Sequence, residues 1–328
     1  MSAASLTVAI PTFNRADKLK RLLAFFVQEM AHKDAPKGIN FLVSDNASQD
    51  VTEAAASDFR FSLPEFSYHR QDCNLGFDGN VFFLYKMSFG RHVWFIADDD
   101  VPFVGAIEKI TVALEKYDPD VLLFSFVQPP GSCVRTFNFE QSVELITDPS
   151  IAIQHLMLCP KLSIYVLKKL CFSDDEWNEC RRCAHLGWAH VALALAVLAH
   201  SPAVRLAVIS EPLARSDDDY QRLPWTPEVF LYLHRPMEHP FVKTHCPYLT
   251  VKYQNLGYSQ AIIFSFSAKT GGLKPLHPED YDEFIRRLEF RLVFLLKNPK
   301  VLVMLILLKL GLAECWPRLR PLCRMLRK

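Results

Sequence analysis

The chain has 328 residues, of which 50% are hydrophobic and 22% are charged, and its formal net charge is +1 at pH 7. This length can bury one large core or two smaller ones. The composition excludes a disordered chain, and the balanced charge gives no sign of a nucleic-acid-binding protein. No apolar run reaches the roughly 18–20 residues that a membrane-spanning helix needs. The nearest candidate, 301–308, is ended by Lys309.

The nine cysteines are irregularly spaced, and the N-terminus has no secretory signal pattern. Both features predict a reducing compartment and a cytoplasmic location. The densest group of possible metal ligands is Cys171, Cys180, Cys183 and His185. A zinc knuckle is therefore an alternative to consider, although such sites usually have tidier CxxC-type pairs of ligands.

Predicted strands and helices alternate along the first 126 residues. The strands are predicted at 6–10, 39–43, 66–69, 92–97 and 121–126. Helices are predicted after Arg15, after Asp50, after Gly76 and from Val104. The first helix has a core-facing apolar stripe at Leu19, Leu22, Leu23 and Phe26. This alternation is typical of an α/β fold with a mostly parallel sheet.

Polar residues follow four successive predicted strands. They are Thr12 after Pro11, Asp45, Asn74, and the triplet Asp98, Asp99 and Asp100. Ligands of parallel α/β sheets bind at the carboxyl ends of the strands. We therefore expect a binding site where these four segments meet.

The acidic triplet suggests what this site binds. Adjacent carboxylates at the end of a buried strand repel one another unless positive charge lies nearby. Mg²⁺ or Mn²⁺ meets this need, because such an ion takes one or two carboxylates together with phosphate oxygens. A solvated acidic turn that caps the next helix is the alternative. The chain has no GxGxxG and no Walker A sequence, so dinucleotide and P-loop sites are unsupported.

The segments VAIPTFNR, FLVSDNASQD, NLGFDGN and FIADDD, in this order and spacing, resemble the nucleotide-binding half of family 2 glycosyltransferases of the GT-A fold. The resemblance implies an inverting, metal-dependent enzyme that uses a nucleoside-diphosphate sugar, most often a UDP-sugar. It places around the nucleotide Pro11, Thr12, Asn14, Arg15, Asp45, Asn74, Gly76, Asp98 and Asp99.

Three of these positions receive particular roles from the resemblance. Asp45 would read the base, Asp98 would contact the ribose or the sugar, and Asp100 would bind the metal as in the family's DxD motif. Asp45 as a helix N-cap and Asn74 as a turn residue are the structural alternatives.

The catalytic base is where this sequence departs from the family. Members often have a Glu-Asp pair near the start of a later helix, and the Asp deprotonates the acceptor hydroxyl. Here the pair is Ala189-His190, at the start of the apolar stretch 187–200. A neutral imidazole can accept a proton near pH 7, so His190 is the candidate base. A buried structural histidine and a metal ligand are the alternatives, and His185 is a weaker substitute.

The remaining sequence predicts a GT-A catalytic domain at 1–215 and a helical region at 216–328. A second acidic triplet, 217–219, is expected in a solvated loop, and long helices are expected at 242–266 and 279–297. The basic and apolar tail from Lys297 is typical of a segment that lies on an anionic membrane surface. Packing of the tail on the catalytic domain or on a second subunit is the alternative.

The prediction is a glycosyltransferase that uses a glycan or lipid-linked glycan acceptor, in surface polysaccharide or lipopolysaccharide synthesis, in the cytoplasm or at the cytoplasmic membrane face. A nucleotidyltransferase is one alternative. A catalytically inactive protein that binds nucleotide sugars is the other.

Overall fold

The computed structural model describes residues 6–128, 136–217, 222–223, 227–269, 274–275, 284–286, 298–310 and 313. The chain divides into two compact units. The first contains the residues up to Asp217 together with Glu238–Pro247, and the second contains Asp218–Met237 and the chain from Tyr248.

A nine-stranded sheet forms the centre of the first unit, within the part of the chain that the structure describes. Its strands are Leu6–Thr12 (β1), Ile39–Asp45 (β2), Phe66–Arg70 (β3), His92–Phe95 (β4), Asp100–Pro102 (β5), Val121–Val127 (β6), Val143–Ile146 (β7), Tyr165–Lys168 (β8) and Leu206–Ser216 (β9). The strand order is β3-β2-β1-β4-β8-β6-β9-β5, and β7 pairs with β9. The first four strands in this order are parallel, whereas β8 runs antiparallel to both of its neighbours.

The helices of this unit are Ala16–Met30 (α1), Thr52–Ser57 (α2), Gly76–Met87 (α3), Ala106–Tyr117 (α4), Pro149–Leu156 (α5), Asp174–Cys183 (α6), Ala189–His200 (α7) and Pro240–His245 (α8). A short 3-10 helix, Leu162–Ile164, leads into β8. The predicted α/β class is confirmed, and so is the apolar stripe of α1, whose four members are all buried. The apolar stretch predicted at 187–200 forms α7, which is buried from Ala189 to Leu198.

Three elements differ from the sequence-based prediction. Strand β1 was predicted to end before Pro11, but it continues to Thr12. Proline has no N–H to donate to a neighbouring strand, and this is tolerated because β4 pairs with β1 only as far as Ala9. Residues 100–102 form a short edge strand antiparallel to β9, which the sequence pattern did not predict. Strand β7 was not predicted, because it is short and only one of its four residues is buried.

The second unit contains the parallel two-residue strands Arg222–Leu223 (β10) and Lys274–Pro275 (β11), the 3-10 helix Pro227–Tyr232, and the helices Leu249–Lys269 (α9) and Pro299–Lys309 (α10). A further 3-10 helix spans Arg235–Glu238, and residues 284–286 are helical. The long helix predicted at 242–266 is two helices, α8 and α9, because Pro247 interrupts the helical hydrogen bonds. The rest of the helix predicted at 279–297 lies outside the described residues.

The apolar part of the C-terminal tail is packed inside the second unit. Leu305 and Leu308 of α10 are buried in one cluster with Tyr258 and Ile262 of α9. The basic residues that follow α10 lie outside the described residues, so membrane contact by this tail stays a prediction. Among the helices that the structure describes, none has both the length and the apolar character needed to span a bilayer.

Gly90 brings the chain into β4 through a very tight passage. A Cβ at this position would lie 2.6 Å from the Thr7 nitrogen, 2.8 Å from the Leu6 carbonyl carbon and 2.9 Å from the His92 oxygen. All three are backbone atoms that cannot rotate away. The Gly90 N–H also donates to Thr7 Oγ1 at 2.8 Å, which fixes the start of β4, the strand that precedes the acidic triplet.

We therefore expect Gly90→Ala to lower the free energy of unfolding by about 1–3 kcal/mol, as overpacking of a closed site does. Gly105→Ala is the matched control, because its Cβ would meet open space while its φ of +80° remains unfavourable for alanine. The control should cost about 1–2 kcal/mol from the left-handed backbone alone. Urea unfolding measures both. A Gly90→Ala protein that unfolds like the wild type would contradict the tight approach described above.

Candidate active site

The ends of β1, β2 and β4 bring the predicted polar residues to one edge of the sheet. Thr12, the last residue of β1, donates its Oγ1–H to Asp98 Oδ2 at 2.7 Å. The Thr12 carbonyl accepts from the Asn46 N–H at 2.9 Å, and Pro11 pairs with Ser44 of β2. The expected meeting point of these segments therefore exists in the fold.

Asp45 is fully buried at the end of β2, and both of its oxygens have donors. Oδ1 accepts from the Ser48 N–H at 2.9 Å, and Oδ2 accepts from the Tyr68 hydroxyl at 2.5 Å. Burial, followed by the hydrogen bond to Asp45, raises the pKa of Tyr68, so the phenol stays protonated and donates. In this conformation Asp45 caps the turn at Ser48, and contact with a nucleotide base requires the residues that bury Asp45 to move.

Asn46 ties the turn at Asn74 to the end of β2. Its side-chain Nδ2 donates to Asn74 Oδ1 at 2.8 Å and to the Gly76 carbonyl at 3.2 Å, and its Oδ1 accepts from the Leu75 N–H at 2.8 Å. Gly76 has a φ of +72°, which favours glycine, and a Cβ there would meet open space. The turn therefore presents bare backbone beside the edge. Asn46 itself was not predicted, although it lies inside the segment FLVSDNASQD.

Asn14 holds the opposite wall of the same edge. Its Oδ1 accepts from the Gln49 N–H at 2.7 Å, and its own N–H donates to Ser48 Oγ at 2.8 Å. The φ of +52° at Asn14 is one that asparagine tolerates better than most residues. These bonds join the start of α1 to the turn that follows β2.

Arg15 is the cation that holds the first two acids of the triplet. Its Nη1 lies 2.8 Å from Asp98 Oδ1 and 2.8 Å from Asp99 Oδ2. Burial lowers the pKa of Arg15, but the two carboxylates outweigh burial and raise it overall. Burial also raises the pKa of Asp98 to about 6, and Arg15 opposes that rise. Asp98 thus has one donor on each oxygen, which holds the carboxylate in place and leaves a lone pair on each oxygen.

Asp100 is held from the other side by the segment that leads into β8. Ser163 Oγ donates to Asp100 Oδ2 at 2.5 Å and accepts from the Ala97 N–H at 2.9 Å. Lys161 Nζ lies 3.8 Å from Asp100 Oδ1. Burial raises the pKa of Asp100 to about 6, and Lys161 partly offsets this. The nearby cations therefore do not fully compensate the carboxylate for its lost water.

The free oxygens of the triplet fit a divalent cation that shares its coordination with a ligand. Asp100 Oδ1 has no donor within hydrogen-bond distance among the described residues, and the Asp99 side chain is 32% exposed. Hard carboxylate oxygens are the ligands that Mg²⁺ and Mn²⁺ prefer. The structure shows no set of three or more His, Cys, Asp or Glu side chains poised to hold a metal in the part it describes. An ion here would therefore complete its shell with phosphate oxygens and water.

His190 is buried at the start of α7, with 2% of its surface exposed. Its Nε2 lies 2.9 Å from the Pro160 carbonyl, which can only accept, so Nε2 carries the proton. Nδ1 then has a free lone pair and no hydrogen-bond partner among the described residues. Burial lowers the pKa of His190 to about 4, and the Pro160 carbonyl opposes this. The imidazole packs edge-on against the rings of Tyr165 and Phe77, with distances between ring centres of 4.8 Å and 6.5 Å.

Asp78, which was not predicted as a site residue, places a carboxylate at the start of the same helix. Its Oδ1 accepts from the Ala189 N–H at 2.8 Å, and its Oδ2 accepts from the Gly187 N–H at 3.0 Å. Helix α7 has no side-chain cap of its own, so Asp78 of α3 caps it from outside. Leu186, one residue earlier, has a strained φ of +53°. Burial raises the pKa of Asp78, against these backbone bonds.

The second acidic triplet begins with a buried residue instead of a solvated one. Asp217 is 9% exposed and pairs with Arg21 at 3.1 Å and Lys18 at 3.5 Å. Its N–H donates to the Asp99 carbonyl at 3.2 Å. The other two acids, at 218 and 219, lie outside the described residues.

The cysteines considered as zinc ligands differ in their exposure. Cys180 and Cys183 are buried in α6, whereas Cys171 is exposed.

The comparisons with known proteins agree with this architecture. The fold is similar to that of S. aureus TarS residues 1–349 in complex with UDP-GlcNAc, with a TM-score of 0.57 and 13% identity over 96% of this chain and 91% of that chain. The same TarS segment in complex with UDP gives a TM-score of 0.54 at 14% identity, again over 96% and 91%. A third structure of it gives 0.53 at 17% identity, with the same coverage. This likeness is one of fold, and it confirms the predicted GT-A architecture.

Sequence comparison gives a family match for the N-terminal half of the chain. No curated protein sequence matches the chain at a significant level. Residues 7–166 match the family model for Glycosyl transferase family 2. This range holds all four of the motifs that carried the resemblance, from the β1 segment to the acidic triplet. Over residues 7–166, slightly less than half of the chain, this protein is similar in sequence to glycosyl transferase family 2.

Proposed function

We propose that this protein transfers a sugar from a UDP-sugar to a hydroxyl group of a glycan or lipid-linked glycan, with inversion at the anomeric carbon. The observation that carries the proposal is the acidic triplet at the carboxyl edge of the sheet, with Asp98 and Asp100 buried, within a segment that matches a glycosyltransferase family. The TarS structures of similar fold in complex with UDP-GlcNAc and UDP support the choice of uridine nucleotide.

The donor would lie against the edge formed by β1, β2 and the turn at Asn74. The proposed nucleotide contacts are Pro11, Thr12, Asn14, Arg15, Asp45, Asn74, Gly76, Asp98 and Asp99. Asp98 is already oriented by Thr12 and Arg15, so it can accept from a ribose or sugar hydroxyl with little reorganisation. The bare backbone at Gly76 leaves room for a ribose or a base.

Asp100, with Asp99 beside it, would hold a Mg²⁺ or Mn²⁺ ion. When bound, the ion would supply Lewis-acid stabilisation for the departing diphosphate. Ser163 fixes the orientation of Asp100 through its 2.5 Å bond to Oδ2, so that Oδ1 is the oxygen left for coordination.

In the transfer step, the acceptor oxygen attacks the anomeric carbon on the face opposite the diphosphate. The electron pair of the breaking bond leaves with the diphosphate oxygen, and the acceptor proton passes to a base. His190 is the proposed base, because the Pro160 carbonyl fixes its tautomer and leaves Nδ1 unprotonated. Since the imidazole is 2% exposed, an acceptor must displace a neighbouring ring such as Phe77 to reach it. Asp78, the carboxylate that caps the same helix start, is the second candidate.

The acceptor class and the setting in surface polysaccharide or lipopolysaccharide synthesis are proposed from the family resemblance. The basic residues in the sequence of the C-terminal tail favour a location at the cytoplasmic face of a membrane, because that face is anionic. A nucleotidyltransferase would release pyrophosphate where a glycosyltransferase releases a nucleoside diphosphate, so product analysis separates the two activities.

We expect UDP with Mn²⁺ or Mg²⁺ to raise the melting temperature by mass action. Asp100→Asn should abolish the metal-dependent part of this shift, because it removes the charge that binds the cation. A thermal-shift screen of UDP, GDP, CDP, dTDP and ADP, each with and without metal, makes the measurement. Glu211→Gln is the matched control, since Glu211 is an exposed carboxylate that pairs only with Lys109 among the described residues. Absence of any shift with all five nucleotides would sink the proposal.

His190→Gln should lower the transfer rate by about 10²–10⁴-fold, the usual contribution of a positioned base, while UDP affinity stays within a factor of two or three. The pKa of His190 is lowered to about 4. Its neutral, basic form therefore persists as the pH falls from 8 to about 5, so protonation of His190 should lower the rate only as the pH approaches 4. A decline near pH 6 is expected from Asp98 and Asp100 instead, because burial raises the pKa of both to about 6. Transfer rates measured across this pH range test both points. A loss below tenfold in His190→Gln, together with a large loss in Asp78→Asn, would reassign the base to Asp78.

A further inference from the structure

The two cations beside the acidic triplet are engaged to different degrees. Arg15 contacts Asp98 and Asp99 at 2.8 Å each. Lys161 Nζ lies 3.8 Å from Asp100 Oδ1, beyond hydrogen-bond distance, and its polar bond is to Ser216 Oγ at 3.2 Å. An ammonium group has three N–H donors. Among the described residues, Lys161 therefore keeps donors that a ligand at Asp100 can use.

The fold holds this ammonium at the triplet. Lys161 Nζ lies 4.4 Å from the centre of the Phe126 ring, a cation–π contact that keeps the charge next to the edge. The Lys161 N–H donates to the Cys159 carbonyl at 2.8 Å, and the Pro160 carbonyl accepts from His190. Ser163, two residues further on, is the donor to Asp100. One short segment thus positions both Asp100 and the cation that faces it.

The charges at this edge call for such a cation. Three carboxylates face two cations, so the cluster has one excess negative charge when all five groups are ionised. A diphosphate would bring further negative charge to the same place. Arg15 is bound to its carboxylates at hydrogen-bond distance, whereas Lys161 can turn from Asp100 towards a phosphate without breaking a direct carboxylate bond.

We propose that Lys161 binds the β-phosphate of the donor and stabilises the leaving diphosphate. The inference rests on the proposed function of the site and adds a second source of positive charge there. As the bond between the anomeric carbon and the β-phosphate oxygen breaks, its electron pair stays on that oxygen. Lys161 donates an N–H hydrogen bond to the β-phosphate and remains protonated, while the acceptor proton goes to the base.

The proposal separates diphosphates from monophosphates. Isothermal titration calorimetry with UDP and with UMP, each in Mn²⁺ and in EDTA, measures the difference on the full chain. Lys161→Met should weaken UDP binding by about 10–100-fold, since it removes a charge-assisted bond to phosphate. UMP binding should change by less than about threefold, because UMP has no β-phosphate. Lys161→Arg should retain most of the affinity for UDP.

Two further variants keep the test decisive. Lys161→Gln removes the charge but keeps a donor for Ser216, so it replaces Lys161→Met if that protein does not fold. Lys109→Met is the control, because Lys109 is a surface lysine of the same sheet domain whose ion pair is with Glu211. It should bind UDP as the wild type does.

The outcomes distinguish this inference from the proposed function. If the wild type binds UDP and both uncharged variants bind it equally well, Lys161 has no role at the β-phosphate and the inference is overturned. Equal losses for UDP and UMP would also overturn it, because they would show general damage to the edge. If the wild type binds UDP neither in Mn²⁺ nor in EDTA, the proposed function fails and the inference fails with it.

Discussion

The burial of two carboxylates, Asp98 and Asp100, in an acidic triplet just after β4 is the constraint on which the rest of this edge depends. Asp98 and Asp100 are each less than 10% exposed, and burial raises the pKa of both to about 6. Unpaired, such a cluster would repel itself and destabilise the sheet. Three surrounding segments donate hydrogen bonds to these carboxylates: the end of β1, the start of α1 and the segment before β8.

These hydrogen bonds give Asp98 and Asp100 different roles. Asp98 receives donors on both oxygens and becomes part of a rigid wall. Asp100 is fixed through one oxygen by Ser163, while the other oxygen faces an ammonium that is not in hydrogen-bond contact. The arrangement is pre-organised and still short of positive charge, which suits a site that binds an anionic ligand together with a cation.

The sequence was sufficient for the features that depend on local patterns. The apolar stripe of α1 and the buried run before Asp98 follow from periodicity, and the meeting of polar residues at one edge follows from parallel topology. Contacts between residues far apart in the chain could not be predicted from the sequence. Ser163 and Lys161 lie more than 60 residues from Asp100 and meet it only because β8 inserts antiparallel between β4 and β6. Asp217 looked solvated because its neighbours are charged, and only the pairing of β9 with β5 brings it to Arg21 and Lys18.

The measurement that tests the central claim most directly is electron paramagnetic resonance of Mn²⁺ titrated into the protein with UDP. The account predicts that the signal of free Mn²⁺ is lost when protein and UDP are both present, and that it persists when UDP is omitted or Asp100 is replaced by Asn. Loss of the free signal to the same extent in the Asp100→Asn protein would place the metal and the nucleotide elsewhere. It would contradict the assignment of this edge as the donor site.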